Sequence, residues 1–215
     1  MTDIFDEVEE DLRRQKAEAA FKKHWPKLAA LAVTVIVSVG GWRLYEWRQA
    51  EASAAAGARF EQAMRTARET PADAEKAFAA IAAEAPGGYR ILARFRAASE
   101  LGRRDAPAGV QAFDALAGDA GIGTLLQDLA KLRAAILLVD TASLADLQRR
   151  LEPLAMVGQP FRHSARELLA LAATKAGDKA VADRFIAAIQ ADGETPQGVR
   201  ARVELIAAVL AGSAP

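Results

Sequence analysis

One stretch near the start constrains this chain more than any other: Leu28 to Trp42 (LAALAVTVIVSVGGW) carries no charge. Fifteen residues of helix cover only about 22 Å, short of the roughly 30 Å hydrocarbon core of a bilayer. The flanks supply the rest. Counted from Trp25 to Trp47 a helix reaches roughly 34 Å, with Lys27 and Arg43 extending their charged heads outward. Trp25, Trp42, Tyr45 and Trp47 would set amphipathic rings at the two interfaces. Residues 25–47 are therefore predicted to be a transmembrane helix bounded by these six side chains. The run is apolar all round, which argues against a buried core helix with one stripe. A cleaved signal peptide is the other reading, since Ala50-Glu51-Ala52 and Ala52-Ser53-Ala54 resemble cleavage sites. Against it stand the long tail ahead of the run and the bulky, charged segment Trp42 to Trp47.

Orientation follows from the basic residues close to the span. Arg13, Arg14, Lys16, Lys22, Lys23 and Lys27 precede it, and only Arg43, Arg48 and Arg59 follow over a similar distance. By the positive-inside rule the N-terminus stays cytoplasmic and residues from about 48 onward are translocated, which in a bacterium means the periplasmic side of the inner membrane. The expected organisation is a charged cytosolic tail (1–24), the transmembrane helix (25–47) and a periplasmic helical domain (48–215). The tail is acidic from Asp3 to Asp11 and basic from Arg13, with Ile4, Val8 and Leu12 on one stripe. Two readings stay open for it: a solvated helix leading into the membrane, or a dock for a cytosolic regulator.

Lys+Arg and Asp+Glu are equal at 28 each, with no basic cluster beyond the span, so nothing resembles a nucleic-acid footprint. There is no Cys, which rules out disulfides and thiolate metal sites. Alanine accounts for 52 of the 215 residues and favours closely packed helices. No stretch alternates β-branched and polar residues over four or more positions, so an all-α fold is predicted.

Punctuation divides the translocated part into helices. The first runs from about Ala50 to Glu69, and Thr70-Pro71 supplies an N-cap and opening proline for a second ending near Ala85. A third spans Tyr89 to Leu101 and stops at Gly102, and a fourth lies near Ala106 to Ala117. Past the loop Gly118 to Gly123, a fifth helix ends near Val139, with Leu125, Leu129, Leu132, Ile136 and Val139 expected inward. Ser143 to Leu151 makes a short sixth, followed by a proline-interrupted loop to Pro160. The seventh, Phe161 to Ala176, ends at Gly177, and Asp178 caps an eighth that buries Val181, Ala182, Phe185 and Ile189. Thr195-Pro196 repeats the cap device and opens a ninth, with Val199, Val203, Ile206 and Leu210 inward.

Four pairs and a capping helix result. Indexed on its small residue, the second helix of each pair recurs at Ala74, near Gly109, near Ala145 and at Ala182, a spacing of about 35–37 residues close to the tetratricopeptide repeat (TPR) period. The first pair carries the small, large and apolar signature as Ala74, Phe78 and Ile81, with Pro86 at the turn; later pairs fit more loosely. The prediction is a TPR-like α-solenoid of about four helix pairs whose units bury their apolar faces only by stacking.

Little in the sequence suggests chemistry. His24 and His163 are the only histidines, and no thiol or i+4 partner completes a site, so His163 reads as a surface helix residue. The glycine-rich stretch Gly118 to Thr124 follows a helix and lacks the Lys-Ser/Thr of a phosphate loop. No catalytic, metal or cofactor-binding residue is assigned and no cofactor is expected. Phe78, Phe95, Phe113 and Phe185 fall on helical stripes and read as core. Tyr89 and Phe161 open helices beside breaks and are the candidate partner contacts.

Gly40-Gly41-Trp42-Arg43-Leu44-Tyr45-Glu46-Trp47, leading into an alanine-rich helix with Phe60, Ala63 and Met64, resembles the span exit of the YfgM-like family of ancillary SecYEG translocon subunits. The order of tail, span and TPR-like domain is similar over the whole length; the motif covers about Trp25 to Met64. The resemblance implies a non-enzymatic scaffold beside the SecYEG translocon, partnered with a membrane-anchored periplasmic chaperone and, through its tail, with a stress-response regulator. Alternatives are an envelope or cell-division coordinator and a cell-wall-processing enzyme dependent on His163.

Overall fold

A computed structural model describes residues 3–212, and the chain divides into two compact units, Met1–Ala54 and Ala55–Pro215. Nine α-helices and no strand occur among the described residues. The first, α1 (Asp3–Glu69), contains the predicted span. Its charge-free part is not buried in the protein: Leu28, Leu31, Val35, Ile36 and Val39 are all exposed. Phe21 to Glu69 is the one helical stretch among the described residues long and apolar enough to cross a membrane. The helix expected to begin near Ala50 is instead part of α1. The side chains of the stripe Ile4, Val8 and Leu12 lie outside the described residues.

The second unit takes the end of α1 and then α2 (Pro71–Glu84), α3 (Gly87–Arg104), α4 (Ala106–Ala117), α5 (Thr124–Leu138), α6 (Leu144–Ala155), α7 (Arg162–Lys175), α8 (Lys179–Ala191) and α9 (Gln197–Gly212). A single 3₁₀ turn, Ala120–Ile122, sits between α4 and α5. Three apolar clusters follow one another along the chain, as stacked pairs require. The first joins Ala56 and Ala63 of α1 to Ala74, Phe78 and Ile81 of α2 and Ala93 of α3. The second joins Ala98 of α3 to Val110, Phe113 and Leu116 of α4 and to Ala130 and Ala134 of α5. The third gathers α6 to α9 around Leu147, Leu151, Leu169, Phe185, Ile189 and Val203.

Local chemistry places several boundaries where the sequence puts them. Pro71 opens α2 in its first turn, where a missing N–H costs nothing. Asp178 accepts from the Val181 N–H at 3.0 Å to start α8, and Gly177 reverses the chain before it at φ +73°. Asp105 and Ser143 cap α4 and α6 in the same way.

Five expectations are corrected. Gly102 does not stop α3, which runs on to Arg104; it is buried against Gly109 of α4, where a Cβ on Gly109 would stand 2.3 Å from the Gly102 Cα. These two glycines are there so that two backbones can meet. Pro153 lies inside α6 rather than in a loop: it is exposed in the last turn, so its missing N–H interrupts the backbone ladder only near the helix end. Ala145 is exposed, so the third pair buries Leu147 and Leu151 in place of the indexed small residue. Thr195 does not cap α9; its hydroxyl donates to the Ile189 carbonyl at 2.9 Å. In α5 Leu132 is buried as expected, together with Ala130, Ala134 and Ala135, but Leu125 and Ile136 are 55% and 42% exposed.

Candidate protein-binding groove

The correction in α5 exposes the candidate site. Ala130 and Ala134 turn into the stack on one face of α5, and Leu125, Leu129 and Ile136 lie on the opposite one, where Leu132 is buried against α6 to α9. Leu126, Leu129 and Arg133 of α5 meet the outer face of α3 and the Phe60 ring of α1 in an open groove of about 460 Å³. Ile91, Leu92, Phe95, Leu126 and Leu129 form its apolar wall. Leu92 is 52% exposed there. Aromatic packing stiffens the floor: Phe60 lies 5.2 Å from Phe78 and 5.9 Å from Tyr89, and Phe95 lies 6.1 Å from Phe113.

Charge in the groove has one sign. Arg96 and Arg133 line it, both exposed and without a carboxylate partner among the described residues, and no acidic side chain lines it. Most other arginines of this unit are paired across helices: Arg59 with Glu84 (2.7 Å), Arg94 with Asp119 (2.5 Å), Arg104 with Glu75 (2.8 Å), Arg184 with Glu152 (2.8 Å) and Arg150 bidentately with Asp114 (2.7 and 3.1 Å).

A second polar cluster lies among α6 to α9, and it is a clasp. Asp192, just past α8, accepts from Arg162 Nε at 2.8 Å and from Arg166 Nη1 at 3.0 Å, and Arg162 also pairs with Glu194. Arg166, buried, donates to the last carbonyl of α6, Ala155, at 2.8 Å and to Ala188 near the end of α8 at 3.3 Å. One guanidinium thus holds two helix C-termini, where positive charge is favoured. The arginines hold the Asp192 carboxyl far below the usual carboxylate range, Arg162 contributing most.

His163 belongs to this clasp. It is not a surface residue: its side chain is 12% exposed, and its Nδ1 lies 3.1 Å from Thr195 Oγ1 and 3.8 Å from Asp192. The Thr195 hydroxyl spends its proton on the Ile189 carbonyl, so His163 Nδ1–H donates to the hydroxyl oxygen. Burial first, and Arg162 second, push the imidazole pKa down. Nucleophilic catalysis would need the hydroxyl and the carboxylate on opposite ring nitrogens; here both face Nδ1. Among the described residues no group of three or more His, Cys, Asp or Glu could hold a metal ion.

The predicted anchor residues Trp25, Lys27, Trp42, Arg43, Tyr45 and Trp47 are all exposed on α1. Trp42 and Tyr45 stand 6.4 Å apart and Arg43 reaches Glu46 at 3.8 Å. Tyr89 and Phe161 are each half-buried and pack against a core cluster, Tyr89 over Gly57 of α1 and Phe161 beside α6 to α9. Sequence reasoning missed Ile91, Leu92, Arg96, Leu126 and Arg133 as groove residues. The signal that could have found them is surplus: α5 carries Ala130 and Ala134 on one face and Leu125, Leu129, Leu132 and Ile136 on the opposite one, more apolar surface than its neighbours cover.

The sequence profile of a family described as the tetratricopeptide repeat-like domain matches residues 19–206. No curated protein and no solved structure matches the chain.

Proposed function

The chain belongs to the tetratricopeptide repeat-like domain family, and on that premise we propose that it is a membrane-anchored scaffold which holds protein partners in the α1–α3–α5 groove. Domains of this family are typically non-catalytic and act through protein partners. The observation that carries the reading is the groove itself: large apolar side chains left open on the first helices of three successive pairs. Exposed patches of this kind mark interaction sites.

The anchor is residues 25–47, the N-terminus is cytoplasmic and the helical domain is periplasmic. Supporting this are the unburied apolar stretch of α1, its aromatic borders and the excess of Lys and Arg before it. The YfgM-like span exit supports a post beside the SecYEG translocon with a membrane-anchored periplasmic chaperone as partner, assisting secreted or envelope proteins. Tethering raises the local concentration of the groove at the membrane, so weak contacts suffice. A photo-crosslinking amino acid at Leu92, in cells, tests the groove: adducts with translocon-associated polypeptides are expected there and not at Ala115 on the opposite side of the stack. Protease added to cells with an opened outer envelope should digest the helical domain, and full resistance would contradict the orientation.

A further inference from the structure

We infer that the groove recognises an acidic amphipathic peptide segment, with apolar side chains against Ile91, Leu92, Phe95, Leu126 and Leu129 and carboxylates on Arg96 and Arg133. This deepens the scaffold reading and rests on it. Three observations specify the chemistry. The wall is apolar and half-open, so its occupant presents a row of apolar side chains and covers the groove from outside. Leu125, Leu129 and Ile136 extend the same face along α5 for about three turns, roughly 16 Å, which suits a peptide helix. The two arginines in the groove have no carboxylate of their own among the described residues, in a unit where most arginines pair with one.

An apolar peptide laid over Arg96 and Arg133 would strip water from two uncompensated cations, which is costly. Carboxylates on the peptide offset that cost, and a basic peptide adds repulsion to it. A single acyl chain fits less well, because it would leave Leu125 and Ile136 uncovered.

The test uses the full-length chain in nanodiscs of zwitterionic lipid and a fluorescent 14-residue helix with leucines at i, i+4, i+7 and i+11 flanked by glutamates, beside a twin with lysine at every glutamate. The glutamate peptide should bind at least tenfold more tightly than the lysine twin, and less tightly as salt rises. Arg96→Glu with Arg133→Glu should reverse that preference, and Leu92→Asp should abolish binding of both. Equal binding of the two peptides, or a preference untouched by the charge reversal, would overturn the inference and leave the scaffold reading standing on its cellular crosslinks. Binding of neither peptide while anionic vesicles bind through Arg96 and Arg133 would overturn it in favour of a lipid surface. A concentration-dependent dimer that hides Leu92 would overturn it in favour of a second copy. Failure of the scaffold reading itself would show separately, as an absence of crosslinks from Leu92.

Discussion

The α3–α5 face and the α7–α8–α9 clasp use the same side chains to opposite ends. In the clasp Arg162 and Arg166 converge on Asp192 and on helix-end carbonyls, and the leucines beside them, Leu151, Leu154 and Leu169, are buried. On the α3–α5 face Arg96 and Arg133 have no carboxylate, and Leu92, Leu125 and Ile136 are open to water. A guanidinium with its carboxylate and carbonyls in place works for the fold. One left without them, beside uncovered leucines, is positioned for something outside the chain.

Substituting the arginines should break or sharpen this contrast most strongly. Arg166→Leu leaves the buried Ala155 carbonyl without its donor and removes one of the two guanidiniums on Asp192, and should cost about 3 kcal/mol, the upper end for an unpaired buried acceptor. Arg133→Leu should stay within about 0.5 kcal/mol of the unaltered protein. Urea unfolding of the two variants measures both, and similar midpoints would erase the distinction. The glycines give the next largest effect. Gly109→Ala drives a methyl into the Gly102 backbone and should cost about 1–3 kcal/mol, whereas Gly88, in the groove, has nothing within 4 Å of an added Cβ and should tolerate alanine. Thermal melts of the pair compare the two directly.

Acid should act on the clasp and spare the groove, with the smallest effect of the three. His163 has a folded pKa below its ordinary value near 6.5, so in mildly acidic solution the unfolded chain holds the extra proton. Stability is full above about pH 6.5 and falls as the pH drops below it. Asp192 adds a second loss at lower pH, since its folded carboxyl stays ionised well below 3.8. The thermal midpoint should therefore drop between pH 7.5 and 5.5, and His163→Gln should flatten that drop. No carboxylate or imidazole lines the groove, so charge reversal at Arg96 and Arg133 should leave the slope unchanged.

What was legible in the sequence is what short-range chemistry decides. Pro71, Gly177 and Asp178 act within a turn of their own position, and the helices around them form where the sequence puts them. Alanine-rich stripes and the Ala74, Phe78, Ile81 signature gave the stacked all-α fold and its first pair. Two things were not legible. Gly102 looks like a terminator until Gly109 is seen against it, and His163 looks exposed until Thr195, 32 residues on, is placed on its Nδ1. The α5 faces were ambiguous for a different reason: periodicity reports an apolar stripe but not which of two stripes faces the stack.

That ambiguity is where the account is most directly tested. Leu125→Asp and Ala134→Asp place the same carboxylate on opposite faces of α5, and their thermal midpoints can be measured side by side. The account predicts that Ala134→Asp unfolds the domain by burying an unpaired charge, while Leu125→Asp melts with the unaltered protein. Equal loss in both variants, or a stable Ala134→Asp, would contradict the claim that the Leu125 side of α5 is an open surface built for a partner.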